Sequence, residues 1–410
     1  MQANKTHWAS MLTLVVIGLS ILFFILVSLV TFIGSLIGLF NGEGNPVSEM
    51  IAAFAFGFNA LLLGVCAWFV FQKVMGRETA DLPFTFPFAW WQVFALAGMV
   101  FFGTFLGGLI ALSETVWLGW FTLPLLTVIV IVPPIWLFFG LGSRGLEAGP
   151  RWRFFSVFAL SMTLAPMLMI LFEMIALFVG IVGAAVYIAV FQPGILRELS
   201  ELPFILEAGG NEEALLALLA PYIANPYVIA AAIGYIAVFV PLIEELLKPL
   251  AVWLFARQIE TPAQGFVLGM LSGAAFALFE SLNASANGST GWAVIVGARA
   301  GTSILHIAAS GLVGWGIVSA FREKRYGRLI AAYFAAVLVH GVWNAAAAGT
   351  GIAAIGESVG KPEWLYAYAP ALVCGLLVMG IGMISVLIAS NRKLKQAVII
   401  TNEEQVQSPS

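Results

Sequence analysis

Residues 10–40 read SMLTLVVIGLSILFFILVSLVTFIGSLIGLF, without one charged side chain. As a helix rising 1.5 Å per residue, the run spans about 46 Å, more than the roughly 30 Å of a bilayer's hydrocarbon. It is too long for a signal-peptide core and no A-x-A-like cleavage site follows, so a retained span is expected. The rest of the chain repeats the theme. Of 410 residues, 61% are apolar and only 10% charged, against about 25% charged in soluble domains. Mean hydropathy is +1.01. That composition excludes a soluble enzyme, a nucleic-acid binder and a disordered chain. The apolar runs are long and unbroken, which points to helices rather than the alternating strands of a membrane barrel. Net charge is −3, too small to imply an acidic or basic partner.

The expected fold is therefore all-α, a polytopic transmembrane helical bundle embedded in lipid. Ten spans are expected, near residues 10–40, 48–73, 89–112, 115–142, 153–191, 227–257, 262–286, 292–320, 328–348 and 365–390. With the first residues taken as cytoplasmic, 14 of the 18 Lys and Arg fall on that side, among them Lys73, Arg144, Arg322, Arg328 and Lys393. The positive-inside bias then predicts both termini in the cytoplasm. Four regions follow: an N-terminal bundle of about five spans (1–191), an extracytoplasmic loop (192–226), a polar membrane core (227–348), and a final span with a polar tail (349–410). The loop carries Glu198, Glu201, Glu207, Glu212 and Glu213 around short apolar stretches that could form an interfacial helix, and it reads more as a plain connector than as a substrate lid. Cys66 and Cys374 both lie in apolar runs, which argues against a disulfide framework or a cysteine-bound metal.

Charge buried in a span is the informative signal. The sixth span reads Phe239-Val-Pro-Leu-Ile-Glu244-Glu245-Leu-Leu-Lys248-Pro249. Each mid-membrane ionisable group costs about 2.5–3.5 kcal/mol, so three cost roughly 9 kcal/mol, about what twenty apolar residues recover. The following spans add Glu280, then Arg299 with His306, then His340 with Asn344. Spans one to four hold no interior charge, and the fifth holds Glu173 alone. Glu244 and Lys248 share a helix face, as do His340 and Asn344, and Arg299 and His306 are two turns apart. Gly269/Gly273 and Gly297/Gly301 are small-xxx-small pairs that would let helices approach closely. Pro241 and Pro249 bracket the acidic pair and should disturb the helix. The three carboxylates sum to −3 and Lys248 plus Arg299 to +2. One shared proton or a divalent cation would balance the remainder. A carboxylate base can activate water, and His or Asn donors can meet an oxyanion, so the set suits hydrolysis, with Lys248 holding Glu244 ionised. It also suits a proton-coupled transporter, or a non-catalytic scaffold held by buried ion pairs.

In order along the chain, Glu244-Glu245-x-x-Lys248, Phe276-x-x-x-Glu280, Arg299 with His306, and His340-x-x-x-Asn344 resemble the motifs of the PrsW family of intramembrane proteases. The resemblance covers about 227–348. It implies an endopeptidase that cuts membrane-anchored proteins in a bacterial plasma membrane. By it, Glu244 is the base activating water, Glu245 assists, His306 and His340 bind water, metal or oxyanion, and Asn344 supports the oxyanion. A divalent metal such as zinc would fall to Glu245, Glu280, His306 and His340. Related enzymes of the clan resemble metal-free glutamate proteases, so both chemistries stay open.

Overall fold

The computed structural model describes residues 8–191, 194, 226–358 and 367–407. Nearly all of the expected outer loop, its five glutamates, Arg197 and Lys361 lie outside the described residues. Among those described, ten helical runs are long and apolar enough to cross a membrane. The helices are α1 (Trp8–Asn41), α2 (Pro46–Val74), α3 (Trp91–Leu112), α4 (Val116–Ser143), α5 (Arg151–Met162), α6 (Leu164–Phe191), α7 (Pro226–Gly234), α8 (Val240–Leu247), α9 (Leu250–Phe255), α10 (Pro262–Ala284), α11 (Trp292–Glu323), α12 (Tyr326–Ser358) and α13 (Ala369–Gln407). Two short strands, β1 (Pro83–Thr85) and β2 (Glu147–Pro150), pair antiparallel beside α5.

The fifth expected span is two helices. They break at Thr163, three residues before Pro166, whose missing N–H cannot bond the carbonyl of Met162. The sixth is three pieces, α7 to α9, with a π-helical turn at Tyr235–Phe239 and a break at Lys248-Pro249. Packing divides the chain into two compact units that ignore chain order. The first comprises Met1–Pro166, Glu245–Ala336 and Gly380–Ser410; the second comprises Met167–Glu244 and Val337–Met379.

Within the first unit α10 is the innermost helix, with every residue from Ala263 to Leu278 buried. Its neighbour α11 comes unusually close because three glycines on α10, one per turn, remove the side chains between them. A Cβ on Gly265 or Gly269 would strike Gly314, and one on Gly273 would strike the carbonyl of His306. This is the packing by which membrane helices gain dispersion contact without a hydrophobic driving force. At Gly297 and Gly301, by contrast, nothing among the described residues lies within 4 Å of an added Cβ. The α10 glycines meet the C-terminal half of α11, so the N-terminal half of that helix needs no gap.

The two positions therefore predict opposite results. Gly273→Leu should lower stability by about 1–3 kcal/mol or more, because backbone has to yield. Gly297→Ala should be neutral or slightly stabilising, since Ala is the better helix former. Thermal unfolding in detergent separates them; equal losses would mean that α10 and α11 do not pack as described. The outer helices α1, α3 and α6 expose residue after residue such as Leu22, Phe102 and Phe178. In water that would be a large liability, and in hydrocarbon it is the expected face.

Candidate active site

The irregular stretch from α7 to α9 delivers the acidic pair, and its irregularity follows from its prolines. In the π turn, the N–H of Val240 bonds Tyr235 O instead of Ile236 O. The π partner of Ile236 O would be residue 241, which is proline and has no N–H. Ile236 O is thus released by the helix, and Asn344 Nδ2 on α12 donates to it at 3.1 Å. Gly341 makes this approach feasible, because a Cβ there would collide with Ala237 O. The expected face-sharing of His340 with Asn344 acquires a physical role here: Asn344 pins α12 to the π turn. In the same unit His340, buried, brings Nε2 to 3.7 Å from Glu244 Oε2. That gap is too long for a direct hydrogen bond.

Glu245 follows Glu244 in α8, and with it the first unit contributes an ordered run of ionisable groups. Glu245 and Lys248 have no exposed surface, and Lys248 Nζ donates to Glu245 Oε1 at 2.8 Å. The ion pair thus joins residues three apart, across the end of α8. Lys248 Nζ also lies 2.9 Å from His306 Nδ1. An ammonium only donates, so Nδ1 accepts and the ring proton sits on Nε2. His306 Nε2 lies 3.0 Å from Glu280 Oε2, and Arg299 Nη2 lies 2.8 Å from the same oxygen. The two-turn spacing of Arg299 and His306 is what lets one carboxylate lie against both. Glu173, which the sequence left unassigned, receives Tyr235 Oη on its backbone carbonyl at 2.8 Å.

Several contributors carried little signal in the sequence. The ring of Phe276 lies 4.8 Å from Lys248 Nζ and meets the His306 ring edge-on, with centroids 5.1 Å apart. The phenylalanine of the F-x-x-x-E motif is therefore a wall behind both cationic and imidazole groups. Ser272 was missed altogether. The break at Pro249 strands the carbonyl of Lys248, and Ser272 Oγ donates to it at 2.5 Å. Having spent its one proton there, Ser272 must accept from Ser161 Oγ, also 2.5 Å away. The only hint in the sequence was the need itself: a proline-broken helix in lipid requires a donor for each carbonyl it frees.

Two of the three carboxylates thus face described cations, Glu245 with Lys248 and Glu280 with Arg299. Within its own unit Glu244 has the His340 imidazole as an ionisable neighbour. The second unit thus offers a buried carboxylate beside an imidazole, with an amide that has one N–H beyond its bond to Ile236 O; the first offers an imidazole whose Nδ1 accepts from an ammonium.

Comparison with known proteins agrees with the motifs and extends them. The description "PrsW family intramembrane metalloprotease" matches residues 149–379, so the similarity begins at β2 and takes in α5 and α6 as well as the four polar helices. Neither curated proteins nor solved structures show a match to the chain. The match covers more than half of the sequence and includes every motif described above, and the chain belongs to the PrsW family of intramembrane metalloproteases.

Proposed function

We propose that the protein is an endopeptidase that hydrolyses a peptide bond of a membrane-anchored protein, within or beside a bacterial plasma membrane, with Glu244 as the base that activates water. The observation that carries this reading is the distribution of charge. Glu245 and Glu280 lie against Lys248 and Arg299, while Glu244 Oε2 faces the buried imidazole of His340 at 3.7 Å, a spacing that one water can bridge. Glu244 and Glu245 are consecutive residues of α8, so one helix serves both sets of side chains. His340 would hold the water against Glu244 across the 3.7 Å gap. The second N–H of the Asn344 amide would meet the oxygen of the tetrahedral intermediate, its first being spent on Ile236 O. Lys248 keeps Glu245 ionised and fixes the ring of His306, and His306 holds Glu280 in place.

The family description implies a metal. The donor chemistry fits one at Glu244 and His340: a carboxylate oxygen and an imidazole nitrogen separated by 3.7 Å, near the roughly 3.4 Å between two ligands of a tetrahedral zinc ion. Glu245 and Glu280 are already matched by cations, and His306 would have to release Lys248 or Glu280 to join. Such an ion would act as a Lewis acid and lower the pKa of its water.

The alternation of carboxylate, ammonium, imidazole and carboxylate also resembles a proton relay, which keeps a coupled transporter as the rival reading. Purified protein incubated with a panel of fluorogenic single-span peptides should cleave at least one. Ion-driven flux in liposomes with no cleavage of any peptide would favour the rival.

A further inference from the structure

The first unit contains a cavity away from the acidic helix. A cavity of about 720 Å³ opens where the N-termini of α10 and α12, the C-terminus of α11 and residues 390–397 of α13 come together. Its floor is apolar, with Phe266, Leu312 and Leu394, and its rim is basic, with Arg322, Arg328 and Lys393. Glu260 and Glu323 also line it, so the lining groups sum to +1.

The cations are not equivalent. Arg322 spends its guanidinium on the carbonyls of Ile259 and Arg257 and remains as fixed positive charge. Arg328 Nη1 donates to Glu323 Oε2 at 2.7 Å, and Glu323 has a second cation, Arg325, at 3.5 Å. An incoming anion can therefore take Arg328 while Glu323 stays compensated by Arg325. Lys393 is exposed at the rim. The positive end of the 23-residue helix α10 adds to the field.

We propose that this cavity binds the anionic headgroup of a membrane glycerophospholipid, with the phosphate on Arg328 and Lys393 and the first acyl carbons over Phe266, Leu312 and Leu394. Basic pockets between membrane helices take anionic headgroups in this way. The apolar floor decides between sources of the phosphate. A free phosphate gains nothing from it, whereas a lipid buries its glycerol and upper chains there. The volume suits a headgroup with a few carbons, the remaining chain staying in the bilayer.

The test is native mass spectrometry of the purified full chain, exchanged into equal amounts of phosphatidylglycerol and phosphatidylcholine. The wild type should retain one phosphatidylglycerol. Arg328→Gln and Lys393→Gln should each weaken retention about tenfold, and Leu312→Trp should expel the lipid by filling the floor without changing charge. Lys324→Gln removes an exposed cation at the same end of the bundle, from outside the cavity lining, and should leave retention unchanged. Equal retention of the two lipids would overturn the proposal, as would an equal loss in Lys324→Gln. So would displacement by soluble glycerol phosphate at comparable concentration, which would make the ligand a free phosphate.

Discussion

Glu244→Gln should lower kcat for peptide cleavage by about 10³-fold, roughly 4 kcal/mol in activation free energy, within the range for loss of a general base. Its effect on stability should be nil or favourable. Glutamine has the same shape, keeps an oxygen that can accept a hydrogen bond, and removes a buried charge that costs desolvation. The combination is diagnostic: activity lost, unfolding temperature kept. Measured in detergent on one peptide, substantial residual turnover would remove Glu244 from the role of base. A matching fall in unfolding temperature would mean that Glu244 is part of the structural ion-pair network instead.

Lys248→Met should show the opposite pattern of causes. Lys248 is fully buried, donates to Glu245, bonds His306 Nδ1 and lies against the Phe276 ring. Methionine keeps most of the volume but leaves Glu245 as an uncompensated charge and His306 without a donor at Nδ1. Breaking a buried pair from one side costs about 3–5 kcal/mol, so a large drop in thermal stability is expected together with loss of turnover. Adding Glu245→Gln to Lys248→Met should recover most of the stability, because the stranded charge is gone, and none of the activity. The coupling between the two substitutions, read from a double-mutant cycle, measures the pair itself. If Lys248→Met melted like the wild type, the Glu245–Lys248–His306 chain would not exist in the protein.

How much of this was legible in the sequence differs by feature. The helical, membrane-spanning fold was fully so, since runs such as residues 10–40 leave a chain no other way to satisfy its backbone in lipid. The spacing of Arg299 and His306 put both on one helix face, and the structure adds the group that lies beside both: Glu280. The i, i+4 spacing of Glu244 and Lys248 did not announce the pairing of Lys248 with Glu245, three residues before it, at the point where Pro249 ends the helix. Glycine spacing alone did not discriminate either. Gly269/Gly273 and Gly297/Gly301 have the same pattern, and among the described residues only the first has a helix against it. Ser272 and the π turn escaped notice because they answer needs that arise after folding: the carbonyls of Lys248 and Ile236 become orphans only once the prolines have broken the helix.

The most direct examination of the central claim is isotopic. Cleavage of a single-span peptide by the wild-type protein in H₂¹⁸O should place one ¹⁸O in the new carboxyl terminus, and Glu244→Gln should yield no labelled product. Product fragments without the label, or label incorporated equally by Glu244→Gln, would contradict a Glu244-activated water as the source of the cut.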